Sequence, residues 1–556
     1  MNQSIASKAE KKVGAIQPAI IYRSSYLGDQ KKTGVKVLFI GLVNSGSRPG
    51  KAGLFLPLGL AYLSAILKNH GYQYDCIDLH TEEIMNPSKT GDLWDHLHHF
   101  DFSDYTMVAF GGVFLRPKEL KYISKRIREC NPNLFQIVGG QMATIVSDLI
   151  LETTSVDCVG LYEGEETLLE LVQSAEKGTD WREVKGLKYR DGRGLLVESP
   201  SRTKLTAEKV PPIPDRENWG FELIRKAFPV GSPGRYNAVA FASRGCPFTC
   251  TFCKPLMGKE IRTREIEDII LELKHLKEEW NVQYVRFFDE VFIGSKARIR
   301  SLCEKMIEEK LNIFWWCQTQ VRLMDEDLIK LMKKAGCINI SYGIESGSAL
   351  ILDEMKKGIT PEVARQAIEW THKHGISPGC SMIAGFPSET IGTIEESRDF
   401  LISLNHVQWE SVPEINYVVP LPDTELFHKS VEEGFITNPQ QYIIELMGDL
   451  GRHTKSINLT KMSDDEMVET IDRCNREIRK DFYSKHPIRY VFKLFHADHL
   501  RIDLIFRHFS FKQLVPFLES VAWVAVGKHM HHFQGRLRKF KFMGVKKWLR
   551  PIKPFS

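Results

Sequence analysis

No stretch of this sequence is long and apolar enough to cross a bilayer. A spanning helix needs about 18 to 20 consecutive apolar residues, and the best candidate, Leu514 to Val526, is short and broken by Glu519. An apolar h-region is also missing from the opening MNQSIASKAEKKVGAIQ, so that segment does not read as a secretory signal. Together these absences set the expectation of a cytoplasmic chain. Acidic residues are missing from 521–556, which hold nine Lys or Arg. The whole 556-residue chain carries a formal charge of only +5, so everything before the tail is net acidic. The body is therefore not a general nucleic-acid binder, and no nucleic-acid partner is expected.

Paired cysteines are lacking too, as a reducing compartment would require. Eight of the eleven stand alone, at 76, 130, 158, 303, 317, 337, 380 and 474, and read as small buried hydrophobes. The other three fall within eight residues, in RGCPFTCTFC from Arg244 to Cys253. Thiolates are the soft ligands that iron–sulfur clusters and zinc prefer. Structural zinc needs four closed ligands, and no fourth Cys or His stands at a familiar spacing. His275 and Cys303 could reach the three only through the fold. Cys246, Cys250 and Cys253 on one loop suit a four-iron cluster with one iron left open.

Strand–helix alternation organises most of the chain. Val35–Gly41 reads as a buried parallel strand, followed by a helix that Pro57 opens and Gly71 stops. Further strands are expected at Tyr74–Asp78, Met107–Gly111, Phe135–Gly139 and Val156–Leu161, with helices at Pro117–Arg128, Ala143–Leu151 and Glu165–Ser174. After a polar leader over 1–34, the alternation over 35–185 predicts a doubly wound parallel sheet. Turn chemistry from Gly186 to Gly234 predicts a linker. Six more strand–helix units over 235–430 predict a partial or full barrel with its active site at the strand C-termini. Residues 431–556 read as helical, ending in the basic tail. The fold class is α/β.

The C-x3-C-x2-C spacing resembles the signature of the radical S-adenosylmethionine (SAM) superfamily. That resemblance implies a [4Fe-4S] cluster on the three cysteines, SAM chelated at the open iron, and Phe252 beside the adenine. Further along, FFDE at 287–290 closes the second barrel strand, SYGIES at 341–346 the fourth, and GFPSET at 385–390 follows the fifth. By the same resemblance Asp289 and Glu290 lie near the SAM amino group, Glu345 near the ribose, and Gly385 in the SAM site. Carboxylates at strand ends are suited to accepting hydrogen bonds from an ammonium or from hydroxyls. Asp289 equally suits a cap on the following helix.

The first domain offers Ser45, Gly111, Gly139 and Gly140 at its strand ends, but no G-x-G-x-x-G for a nicotinamide dinucleotide. PLGLAYLSA at 57–65, VGGQMAT at 138–144 and VDCVGLYEGEET at 156–167 resemble the cobalamin-binding domain of the B12-dependent radical SAM class. Classical carriers place D-x-H-x-x-G after the first strand. Here Asp78-Leu79-His80 follows the second strand and lacks the Gly, and His80 reads as an exposed loop residue rather than a cobalt ligand.

The resemblance implies methylation of an unactivated carbon, with one SAM as methyl source for cobalamin and another as radical source. An anaerobic cyclase, hydratase or rearrangement enzyme would use the same parts. A non-catalytic iron–sulfur or corrinoid protein is a third reading, against which the missing fourth cysteine counts. The implied partners are a small-molecule or lipid-like substrate and an external electron donor of flavodoxin or ferredoxin type. The tail mixes basic and bulky apolar residues around Trp548, a composition fit for peripheral contact with an anionic membrane surface or for a solvated basic face.

Overall fold

The computed structural model describes residues 22–23, 34–42, 55–88, 90–112, 117–206, 210–211, 213–227, 236–255, 257–449, 457–486 and 489. Two compact units are separated at His486. Both sheets and the candidate site lie in the first unit, Met1–Lys485. The basic tail lies outside the described residues.

Strands β1 (Tyr22–Arg23), β2 (Lys36–Gly41), β3 (Gln73–Asp78), β4 (Met107–Gly111), β5 (Phe135–Gly139), β6 (Cys158–Gly160), β7 (Leu187–Arg190) and β8 (Leu196–Glu198) form one sheet in the order β1-β3-β2-β4-β5-β6-β7-β8. Its five central strands, β3 to β6 with β2, are parallel. Val37 to Ile40 and Met107 to Phe110 are almost wholly buried, as expected of strands covered on both faces. The order reverses between β2 and β4, and the crevice at their carboxyl ends is where doubly wound sheets take ligands.

The linker expected from Gly186 onward is in part sheet. β7 and β8 form an antiparallel hairpin on β6, turned by Asp191, whose carboxylate accepts the Arg193 and Leu195 N–H groups. Asp-Gly chemistry made this turn look like a domain boundary. The polar leader likewise contributes β1, antiparallel to β3. The helix expected over Ala143–Leu151 is two helices, Gln141–Ile145 and Ser147–Thr153, broken at Val146.

Strands β9 (Asn237–Ala240), β12 (Tyr284–Phe287), β13 (Phe314–Thr319), β14 (Cys337–Glu345), β15 (Ser377–Ala384) and β16 (Ile415–Tyr417) form a second, wholly parallel sheet. It runs in chain order and is open between β9 and β16, a partial (β/α)6 barrel. β10 (Ser243–Arg244) and β11 (Arg262–Thr263) form a small antiparallel hairpin outside it. Helix Asp464–Lys485 packs on helix Ile391–Ser403 and β16, and Asn475 exchanges hydrogen bonds of 2.8 Å with the Ile415 backbone.

The two sheets share one hydrophobic core, which runs from Phe39 and Tyr74 through Trp219 to Val239 and Ile269. A strap over 213–221 reinforces it. Asp215 accepts the Tyr74 hydroxyl at 2.6 Å, and the Trp219 indole donates to Ser64 at 3.0 Å, both in the first domain. Arg216, next to Asp215, turns the other way. It donates to the Val239 carbonyl and to Glu272, which also receives Arg264. All three of these charged side chains are buried, and the two guanidinium groups outweigh desolvation and hold Glu272 below its ordinary carboxylate range.

Candidate active site

The cysteine segment leaves the carboxyl end of β9 and is held as a loop by the β10–β11 hairpin. Gly245 is required here: its φ is 101°, and a Cβ would lie 2.1 Å from the Glu260 carbonyl oxygen. The Cys246 N–H donates to Gly258 O, and the Cys253 N–H to Cys250 O. Between them Thr251 is clamped twice, donating its N–H to Met355 O and accepting the Leu426 N–H. Cys246 and Cys250 are half-buried and Cys253 sits at an exposed rim.

Desolvation raises the pKa of all three thiols. Cys253 is raised by the partial burial of its sulfur and by the Cys250 and Cys246 thiols beside it. The three sulfurs thus sense one another, yet among the described residues no three His, Cys, Asp or Glu gather closely enough to hold a single metal ion. Neither proposed fourth ligand joins them. Cys303 is buried beside Cys337, and His275 meets the Trp280 indole at 3.3 Å. Three thiols on one loop, joined by neither Cys303 nor His275, suit a cluster with one iron left open better than a closed four-ligand zinc site.

Around this loop the barrel brings together most of the expected residues. The Phe252 ring meets that of Phe386 edge-on, with centroids 6.0 Å apart. Gly385 precedes Phe386, has φ 111°, and gives its N–H with that of Phe386 to the Glu389 carboxylate. Glu290 accepts the Met257 N–H at 3.4 Å and raises the Cys246 and Cys253 thiols electrostatically. Glu345 ends β14 at φ 77°, after a bulge, and meets Lys357 Nζ at 3.0 Å.

Lys357 was not foreseen. Both side chains of this pair are almost wholly shielded, 6% exposed for Lys357 and 9% for Glu345. Its ammonium lies 5.7 Å from the Phe252 centroid and lowers the pKa of all three thiols. Glycine makes room for it, since a Cβ on Gly343 would lie 2.6 Å from Glu345 Oε1 and 2.9 Å from Lys357 Nζ. Arg322 adds a second cation, its guanidinium 4.1 Å from the Phe248 ring centroid.

Asp289 does not cap the helix that follows it. Its carboxylate accepts the Ala242 N–H at 3.1 Å and the Ser243 hydroxyl at 2.6 Å, tying the end of β12 to the start of the cysteine segment. Burial pushes its carboxyl up to about 6. The following helix, Lys296–Glu308, is capped by Ser295 instead.

Glu389 carries a pH signature. Burial outweighs its two N–H donors and raises its carboxyl from an ordinary 4.5 to about 7. A raised carboxyl favours the fold at low pH and disfavours it as pH climbs from 4.5 through 7, by about 3 kcal/mol in total. Glu389→Gln is therefore expected to flatten the fall in denaturation midpoint of the apo-protein between pH 5 and 8. An unchanged pH slope would refute this assignment.

In the first domain Gly111, Gly139 and Gly140 lie together at the carboxyl edge of the sheet, next to Gly160. Gly140 has φ 108°, and a Cβ there would lie 3.1 Å from Gly112 O. The edge is a floor of bare backbone, which suits a flat polar cofactor. Ser45 lies outside the described residues, as do 43–54 and 113–116. His80 is not an exposed loop residue. It is buried in the first turn of helix Leu79–Met85, which Asp78 caps through the Thr81 N–H. Cys130 departs from the expected burial and is exposed.

Residues 241–401 match the Radical SAM superfamily. The chain is 29% identical over 385 residues to an uncharacterized methyltransferase of Pyrococcus horikoshii, an alignment covering 68% of this chain and 79% of that one. It is 26% identical over 473 residues to the anaerobic magnesium-protoporphyrin IX monomethyl ester cyclase of Rubrivivax gelatinosus, covering 82% and 79%. In fold it is similar to the radical SAM methyltransferase TsrM of Kitasatospora setae, solved with cobalamin and a [4Fe-4S] cluster. The TM-score is 0.59 at 18% identity, covering 72% of this chain and 78% of that one.

Proposed function

We propose, from the premise that the barrel is a radical SAM domain, that this chain is a radical SAM C-methyltransferase using a [4Fe-4S] cluster, SAM and cobalamin. The observation that carries the reading is the three-thiol loop at the carboxyl end of β9, set beside the Glu345–Lys357 pair. Cys246, Cys250 and Cys253 would hold the cluster, with Phe252, Glu290, Glu345 and Gly385 around SAM. Gly111, Gly139 and Gly140 would floor the cobalamin site. When bound, these groups would supply an electron for homolysis of SAM and a methyl group for transfer. The protein's own contribution is to align the centres and exclude water. Glu345, held by Lys357, presents a fixed acceptor, and the backbone edge at Gly139–Gly140 lets a planar ring approach closely.

The substrate is proposed to be a small or lipid-like molecule, and the reductant an external flavodoxin- or ferredoxin-type protein. Among the described residues no helix is long and apolar enough to cross a membrane. Peripheral membrane contact through the basic tail belongs to this proposal. A second reading, anaerobic ring closure, draws on the Rubrivivax cyclase, whose alignment extends over 82% of this chain.

Anaerobically reconstituted protein, given cobalamin, a low-potential reductant and SAM with a deuterated methyl group, would be added to extract of its host. A product carrying the label, formed together with S-adenosylhomocysteine and 5′-deoxyadenosine, supports methylation. An unlabelled product with 5′-deoxyadenosine alone overturns it in favour of ring closure or rearrangement.

A further inference from the structure

Four charges cross from the first domain to the hairpin that frames the cysteine loop. Arg244 on β10 donates to Glu163 at 2.7 Å and to Glu165 at 2.6 Å. Arg262 on β11 donates to the other Glu163 oxygen at 2.5 Å. That oxygen also accepts the Leu205 N–H. Arg262 further donates to the Leu205 and Met257 carbonyls, each at 2.9 Å. Glu163 and Glu165 are 7% and 6% exposed, Arg244 and Arg262 12% and 15%.

Stability alone does not explain such a network. Desolvating two carboxylates and two guanidinium groups cancels much of their attraction, and apolar packing serves as well. Docking of the domains is in any case secured by the shared core and the 213–221 strap. What directional ion pairs add is register. The place where they act is telling: Arg244 is two residues before Cys246, with only the obligatory Gly245 between them. The hairpin strands that carry Arg244 and Arg262 are the two ends of the segment containing all three cysteines.

The same turn reaches back to the crevice of the first domain. Tyr162, beside Glu163, has φ 62° and is 66% exposed. Its N–H donates to the Thr144 hydroxyl, which donates to the Gly140 carbonyl. We propose that Glu163 and Glu165 are positioning residues that set the cysteine loop from the first domain, so that the cluster is held in a frame both domains build. This inference rests on the cluster reading and goes beyond it in assigning the first domain a part in holding the iron.

The test uses the full chain, reconstituted with iron and sulfide, with Glu163→Gln and Glu165→Gln as variants. Glu170→Gln is the control, because Glu170 pairs only within the first domain's own segment, with Arg202 at 2.6 Å. Iron loss to a chelator is expected to run about tenfold faster in the first two, and the change that SAM causes in the electron paramagnetic resonance spectrum of the reduced cluster is expected to shift. Glu170→Gln should match the wild type in both. Wild-type iron retention and spectra in both Glu163→Gln and Glu165→Gln would overturn the inference alone. So would equal losses in Glu170→Gln, which would mean general destabilisation. Should Glu163→Gln fail to fold, Glu165→Gln, which removes only one contact to Arg244, decides. A wild-type chain that takes up no iron overturns the cluster reading and this inference with it.

Discussion

Cys250→Ala is expected to leave a folded chain that takes up little iron and makes 5′-deoxyadenosine at less than about 1% of the wild-type rate, since the step depends on an intact cluster. The loop should survive the substitution. Thr251 keeps its backbone bonds to Met355 and Leu426, and the β10–β11 hairpin still closes the segment. What is lost is one of three thiolates, and the remaining two cannot hold a four-iron cluster against competing thiols and chelators. Iron and sulfide analysis, the visible spectrum and a 5′-deoxyadenosine assay would be read together. Full iron content in Cys250→Ala would remove the basis of the assignment. The same result is expected for Cys246 and Cys253. Because all three thiols are raised above their ordinary range, iron binding must displace their protons, so loading should improve as pH rises.

Lys357→Met is expected to destabilise the apo-protein by about 3 to 5 kcal/mol, because it leaves the Glu345 carboxylate buried with no cation beside it. Both partners are shielded, and the contact is 3.0 Å. Adding Glu345→Gln should recover most of that loss, since the double variant buries no charge at the pair. Denaturation of the four apo-proteins gives the coupling directly. A single Lys357→Met within about 1 kcal/mol of wild type, additive with Glu345→Gln, would mean that the pair does not couple. The loaded protein offers a second readout. Lys357 lies closest in effect to Glu345, Cys250 and Cys253, and removing a nearby positive charge disfavours adding an electron. The cluster potential should fall by some tens of millivolts in Lys357→Met.

The comparison of Lys356 with Lys357 shows where sequence stops being informative. They are adjacent and chemically identical, yet Lys356 pairs with exposed Glu425 at 2.7 Å while Lys357 is buried against Glu345. Only the turn after Met355 decides which one points inward, with Lys356 itself at φ 52°. The barrel, by contrast, was legible as six strand–helix units in chain order. β14 and β15 alternate or run apolar and end in recognisable motifs, and several of the barrel helices have their own start signal, such as Thr360-Pro361 or the capping box at Thr390. Local signals failed where one residue type serves two roles. Asp191-Gly192 turns a hairpin rather than leading out of a domain. Asp289 stands where a cap or a ligand was equally plausible, and its partners Ala242 and Ser243 lie 47 and 46 positions away. Glu163 and Glu165 were visible as part of a motif, but their arginines are about 80 to 100 residues distant, and no periodicity links them.

Asp215 and Arg216 are consecutive residues with opposite allegiances, one gripping Tyr74 and the other Glu272. Swinging the two sheets apart like jaws would pull one end of a single peptide unit from each side and tear open the core around Trp219. Hinge opening is thus closed to this molecule as a way in.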